Sequence, residues 1–319
     1  MKVKGILLAG LVALGPAVVY AQSAETLGWL RKIHNATEKL SYTGTFIYHQ
    51  NGGRSETSKI TRYVDASGDI EKLEVIDGMP REIVRSKDTV RCYLPGSRLV
   101  KVDRRTERDF PGLLPERITA LARHYDLSLG ETRRIANYDC QAVVLTPRDN
   151  LRYGYHLYAD VNTGMLLSAV TVDASGAQIE QFTFTELRIG GVTLDMVRSR
   201  HEAARGWREE DAAAAPARLA GWGLSAELPG FQKIIELKRR LGESRSAGQL
   251  VYSDGLAAVS VFIEPLGERG DLRTGLSSMG AIHIYTRKVA NHMVTVVGEA
   301  PATSVQRIAD AVEYRQPPQ

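Results

Sequence analysis

The sequence predicts a mainly β protein with a few helices, an α+β fold in which many antiparallel strands form one large curved sheet or open barrel and a smaller unit follows. Three observations predict it. From Ser41 to Leu187 apolar residues recur at every second position, and turn residues punctuate the runs about every 8 to 12 residues. Helical periodicity is confined to a few short stretches. Around 203–221 the alternation breaks into "AARGWREEDAAAAPARLAG", rich in Ala and charge, after which strand-like runs resume.

The chain opens with Lys2 and Lys4, an apolar "GILLAGLVALGPAVV" and small residues at Val19-Tyr20-Ala21. This reads as a signal peptide over 1–21, with export to the periplasm. Pro16 interrupts the apolar run, which is short of the roughly 20 residues of a membrane span. No Cys flanks the cleavage site, so a lipid anchor is not expected. Removing Lys2 and Lys4 leaves 39 basic against 37 acidic residues, a net charge of about +2. That balance argues against nucleic-acid binding, which needs a clustered basic excess.

Glu25 to Leu40 reads as a helix, with Leu27, Leu30, Ile33, Thr37 and Leu40 on one stripe. "SYTGTFIYHQ" then switches to period two, and "NGG" turns it. Short runs follow: "SKITRYV", "IEKLEVI", "REIVR", "TVRCYL" and "RLVKV". A helix is expected at "PERITALARHY", with Pro115 in its first turn. Five more strands run from Asp126 to Leu187, with hairpins at "DVNTG" and "DASG". The expected domains are 22–204 and 222–319, joined by a linker or loose helix over 205–221. In the second domain "QLVYSDG", "LAAVSVFIEP", "GAIHIYTRKVA" and "NHMVTVVGEA" read as strands, and Ser304 to Tyr314 as a closing helix.

The motifs of catalysis are missing. The seven histidines are scattered, and no H-E-x-x-H, G-x-S-x-G, Gly-rich phosphate loop or C-x-x-C occurs. A binding protein without enzyme activity, cofactor or metal is the expectation. Cys92 and Cys140 form one disulfide or remain two buried thiols; an oxidising compartment allows either. Asp254-Gly255 in "LVYSDGLAAVSVFIEP" is a two-residue hairpin signal, and the neighbouring Tyr252 is a strand-end residue or a contact on a binding face. Arg239, Arg240 and Arg245 gather in "KRRLGESR"; they form a solvated loop or grip an acidic partner segment or a phosphate. Phe46, Tyr48, Tyr153, Tyr155, Leu157, Phe182 and Phe184 alternate along the large sheet. Core packing is one account of them. The other is the wall of a cavity in a curved sheet, suited to acyl chains.

The chain resembles the MucB/RseB family, most of all its Pseudomonas-type members. The resemblance is carried by "IDGMPREIVR", "YLPGSR" and "YDCQAVVLTPRDNLRYGYHLYADVNTGML", and in the second half by "LPGF", "LVYSDGLAAVSVFIE" and "MVTVVGEAP". It implies an N-terminal open β-barrel like those of periplasmic lipoprotein carriers and a smaller C-terminal α/β domain. It also implies a periplasmic regulator of an envelope-stress sigma factor. Such a regulator binds the periplasmic segment of a membrane-spanning anti-sigma factor, here one restraining alginate production, and shields it from the site-one protease. Lipid or lipopolysaccharide releases it. Cys140 in "YDCQAV" fits the family pattern, whereas a Cys at position 92 is not expected throughout the family. The alternative is a periplasmic lipid or lipoprotein carrier, which would not need the segment from "WGLSAELPGF" onward. The oligomeric state is open, a homo-oligomer included.

Overall fold

A computed structural model describes residues 17–87, 89–104, 114–115, 118–202, 205–211, 215–241, 245–266 and 274–316. Most of the expected signal peptide, 1–16, lies outside the described residues. Helix α1 spans Ala17–Lys39, so it starts before the expected Glu25. Its stripe behaves as the periodicity requires. Leu30, Ile33 and Thr37 are buried, and Leu27 and Leu40 pack beside them.

The first sheet has twelve strands: β1 Tyr42–Gln50, β2 Arg54–Asp65, β3 Gly68–Val75, β4 Glu82–Arg85, β5 Thr89–Leu94, β6 Leu99–Arg104, β7 Tyr125–Ile135, β8 Tyr138–Pro147, β9 Gly154–Asp160, β10 Leu166–Val172, β11 Gln178–Ile189 and β12 Arg208–Asp211. They lie in the order β12-β6-β5-β4-β3-β2-β1-β11-β10-β9-β8-β7. Ten of the eleven pairings join neighbours in an antiparallel meander closed by β1 against β11; β12 joins β6 in parallel. The end strands β12 and β7 do not pair, so the described sheet is open rather than a closed barrel. Helix α1 covers β7, β8 and β10, and at the β9–β10 turn Lys32 Nζ donates to Val161 O at 2.5 Å. Gly164 in that turn has φ +79, and a Cβ there would meet the Lys32 carbonyl at 2.7 Å. The turn therefore needs glycine for both its conformation and its contact with the helix.

The second sheet comprises β13 Ala215–Pro216, β15 Gln232–Leu241, β16 Arg245–Ser253, β17 Ala258–Pro265, β18 Gly275–Met279, β19 Ile282–Val289 and β20 His292–Gly298. Its order is β13-β15-β16-β17-β20-β19-β18. Helix α2, Ala302–Ala311, packs on β19 and β20 through Val305, Ile308 and Ala309. A small pair, β14 Trp222–Leu224 with β21 Val312–Tyr314, completes the unit. Each sheet has its own core, the first around Tyr42, Phe184 and Leu157, the second around Leu250, Val261 and Val296.

Three expectations change and one open alternative is decided. The described residues of 115–125 form only a short 3-10 helix, Ile118–Arg123, and Tyr125 is taken into β7. The segment 205–221 is no loose helix: β12 lies on the first sheet and β13 on the second, so it is stitched to both. The second unit is antiparallel throughout its main sheet, an α+β rather than an alternating α/β arrangement. Cys92 and Cys140 are both free. They sit on β5 and β8, with seven strands between them in the sheet order, so of the two alternatives the free thiols hold, with Cys140 buried and Cys92 half-buried.

Candidate functional site

Asp254-Gly255 turns out to be the start of a four-residue loop, since Ser253 pairs with Ala258. Asp254 Oδ1 accepts the N–H groups of Leu256 at 2.9 Å and Ala257 at 2.8 Å. Ser253 Oγ accepts the Gly255 N–H at 3.0 Å. With its first oxygen spent on the loop, Asp254 turns Oδ2 toward the first unit. There Arg152 Nη1 donates at 2.7 Å, and both side chains are fully buried.

Arg152 is placed by its own turn. Asp149 Oδ1 accepts the Leu151 N–H at 3.0 Å and the Arg152 Nε–H at 2.9 Å. The remaining arm, Nη2, donates to Pro229 O at 2.7 Å, and the guanidinium lies 5.9 Å from the Tyr125 ring and 5.4 Å from Phe231. One side chain from the first unit thus joins two loops of the second. Leu151 inserts into the second core, where its carbonyl accepts from Ser304 Oγ at 2.5 Å. At a separate place Arg239 Nη1 donates to Asp103 Oδ2 at 2.7 Å.

Beside this junction lies a cavity of about 540 Å³ walled by both units. The first unit contributes one face of its strands, and period two decides which residues appear: Phe46 and Tyr48 on β1, Glu56 and Ser58 on β2, Ala169 and Thr171 on β10, Glu180 and Phe182 on β11. Leu73, Arg85, Tyr153 and Tyr155 complete that side. The second unit closes it with Leu256, Ala258, Ser260, Ile282, Val297, Gly298 and Glu299. The aromatic wall is held edge to face, with Phe46 6.4 Å from Phe182 and 5.8 Å from Phe184. Gly44 makes room for it: a Cβ there would meet the Phe184 ring at 2.9 Å and Glu186 O at 2.5 Å.

The polar part of the wall is ordered. Tyr48 donates its hydroxyl to Glu180 Oε2, Thr171 Oγ1 donates to Glu180 Oε1 at 3.2 Å, and Gln50 Nε2 donates to the Tyr48 oxygen at 3.1 Å. Burial, followed by the bond to Glu180, pushes the Tyr48 hydroxyl well above its ordinary pKa. Burial raises Tyr153 to about 12. Arg85 is drawn back by Glu71, whose Oε1 accepts at 2.6 Å.

Of the seven residues expected to contact an acyl chain, Phe46, Tyr48, Tyr153, Tyr155 and Phe182 line the cavity. Leu157 and Phe184 lie behind them in the first core, 2 % and 1 % exposed. Tyr252 is buried in the second core, and burial pushes its hydroxyl to about 12. It packs there instead of standing on an open face. Arg239 is held by Asp103 of the first unit rather than left on an open surface. Arg240 lies on β15 opposite Ser246, and Arg245 opens β16 opposite Leu241; the side chains of Arg240 and Arg245 lie outside the described ones. Sequence reasoning missed Arg152 and Glu180. A period-two count places Glu180 on the face of Phe182 and Phe184, and the Asp149-to-Arg152 spacing in a turn was the available sign of the other.

The family described as MucB/RseB N-terminal domain matches residues 25–205, and the MucB/RseB C-terminal domain matches 216–313. The Pseudomonas aeruginosa protein named sigma factor AlgU regulatory protein MucB is 31% identical over 309 residues, covering 92% of each chain. The solved complex of Pseudomonas aeruginosa MucA/MucB is similar at 28% identity and TM-score 0.71, covering 92% of this chain and 100% of that one. A crystal structure of MucB in complex with MucA(peri) gives 28% identity and TM-score 0.70, over 91% of this chain and 99% of that one.

Proposed function

Because the chain belongs to the MucB/RseB family, whose named members regulate sigma factors, we propose that it is a periplasmic regulator without catalytic activity. It binds the periplasmic segment of a membrane-spanning anti-sigma factor, shields that segment from site-one proteolysis, and releases it when a lipid or lipopolysaccharide ligand arrives. The observation that carries the reading is the junction: two units locked by a buried Arg152–Asp254 pair around a cavity that both of them wall. The similar MucB was crystallised with MucA(peri), which supports a partner of the same kind here.

The arrangement suits a regulator because a ligand that touches both walls has different contacts when the units shift, and only such a difference moves an equilibrium. An acyl chain would lie against Phe46, Tyr155 and Phe182. The partner segment would carry carboxylates toward Arg240 and Arg245. A carrier would need the cavity within the first unit alone; here Leu256, Ile282 and Val297 complete it from the second, which favours the regulator. No described helix is long and apolar enough to cross a membrane.

Binding is tested by fluorescence anisotropy of a labelled anti-sigma periplasmic segment titrated with the whole chain from Gln22 onward. Saturable binding that weakens as salt rises is expected. A segment that stays free at saturating protein would contradict the reading.

A further inference from the structure

The two large sheets end in four edge strands, and three of these are protected. β12 has a charge at every position, Arg208, Glu209, Glu210 and Asp211. β13 is two residues long and holds Pro216. β7 is covered by α1, is bulged between Leu129 and Thr132, and carries Glu131, Arg133 and Arg134. Charge, proline, bulges and covering elements are the devices that keep other chains off a sheet edge. Among the described residues β18, "GLSSM", has none of them. Every residue of it is exposed, and its register on β19 runs unbroken from Gly275 opposite Thr286 to Met279 opposite Ile282. The turn between them fixes which backbone groups are free. Gly280 and Ala281 form a two-residue hairpin loop, with Gly280 at φ +60 in its first position. Met279 and Ile282 therefore exchange hydrogen bonds, and bonded and unbonded pairs alternate from there. The N–H and C=O groups of Leu276 and Ser278 thus point away from β19, toward the open edge. The strand also ends at the cavity. Met279 shares a face with Ile282, which lines it, and in the turn Gly280 stands against Gln50 of the first unit while the Tyr153 hydroxyl donates to Ala281 O at 3.4 Å.

We propose that β18 receives the partner segment as an added, extended strand. The inference rests on the partner-binding part of the reading above and names the surface that part leaves open. Main-chain bonds to Leu276 and Ser278 hold the segment, and side chains at alternate positions select it. The stretch that binds is as long as β18, lacks proline at the bonded positions, and is apolar opposite Leu276 and Met279, which are 45% and 51% exposed. It is distinct from the stretch that offers carboxylates to Arg240 and Arg245, because four strands separate β15 from β18. A second copy of this chain fits the edge poorly. Full antiparallel overlap of two β18 strands sets Leu276 against Ser278 and Met279 against Gly275, so no apolar pair forms across them. A strand added here runs to the turn that meets the first unit, which places the segment beside the junction of both.

The test uses the whole chain from Gln22 onward and the labelled anti-sigma periplasmic segment, with two readouts. Hydrogen exchange resolved to single residues should show the Leu276 and Ser278 amides slowing at least about tenfold when the segment saturates the chain. By anisotropy, Ser278→Pro should weaken the segment about tenfold, the loss of one backbone hydrogen bond, while circular dichroism stays native. Proline is tolerated there because the N–H it removes faces the edge and not β19. Exchange at Leu276 and Ser278 unchanged by the bound segment overturns the inference, and that readout stands even where Ser278→Pro fails to fold. A natively folded Ser278→Pro chain that binds the segment at full affinity overturns it as well. Protection of the same amides that rises with the concentration of the chain alone puts a second copy on the edge and overturns it too. Failure of the unaltered chain to bind the segment defeats the partner reading itself, and is thereby distinct from these outcomes.

Discussion

Arg152→Met is the sharpest perturbation of the junction. It removes a guanidinium that makes three hydrogen bonds, to Asp149, Asp254 and Pro229 O, from a position with no solvent exposure. The methionine keeps much of the volume, so what is lost is charge and bonding rather than packing. Asp254 is then a buried carboxylate left with the Leu256 and Ala257 N–H groups and a 3.5 Å contact from the Tyr125 hydroxyl. Removing one member of such a pair costs about 3–5 kcal/mol. At roughly 2–4 °C per kcal/mol for a protein of this size, the melting temperature should fall by about 10 °C. Asp254→Asn is the matching change, because its side-chain oxygen preserves the loop bonds and only the charge is lost. Calorimetry on both single variants and the double variant forms a cycle in which the double loss should be smaller than the sum by at least about 1.5 kcal/mol. Losses under about 0.5 kcal/mol for either single variant, or strict additivity, would refute the claim that this pair locks the units.

Other outcomes follow from the same geometry. Thiol counting on the denatured, unreduced protein should find two thiols; in the native protein Cys140, buried with its thiol pushed up to about 12, should react more slowly than Cys92. Phe184→Ala should cost about 3–5 kcal/mol by leaving a hole behind the aromatic wall, measured by urea unfolding. His124 stands against Gly230 of the second unit, and burial, followed by the charge of Arg152, lowers its pKa below 6.5. The folded state therefore holds the neutral form, so its contribution is full above pH 6.5 and is lost as pH falls through the lowered value. The melting temperature should decline as pH falls from 6.5 through the lowered value and level off below it, less steeply in His124→Gln.

The strand content was legible because period two and turn chemistry are local. Every strand-like run from "SKITRYV" to "AQIEQFTFTEL" appears near its expected place, and α1 buries the stripe of Leu30 and Ile33. The short edge elements were not legible. β12 and β13 lie in Ala- and charge-rich chain whose conformation is imposed by the neighbours β6 and β15, not by propensity. The aromatic wall was readable from alternation, but the division between lining and core was not. Phe182 lines the cavity and Phe184 does not: the Phe184 ring packs over Gly44, where a Cβ would meet it at 2.9 Å. The second unit's role as the other wall is a tertiary fact with no sequence sign. Arg152 and Asp254 lie 102 residues apart, and nothing local marks them as partners.

The central claim is that both units together hold one partner segment away from a protease. The direct measurement is the cleavage rate of an anti-sigma factor's periplasmic segment by its site-one protease, with and without saturating whole chain from Gln22 onward. The account predicts that the chain slows cleavage, that the Arg152→Met variant at equal concentration slows it less, and that a cavity ligand restores the rate. Cleavage at the same rate with and without the protein would contradict it.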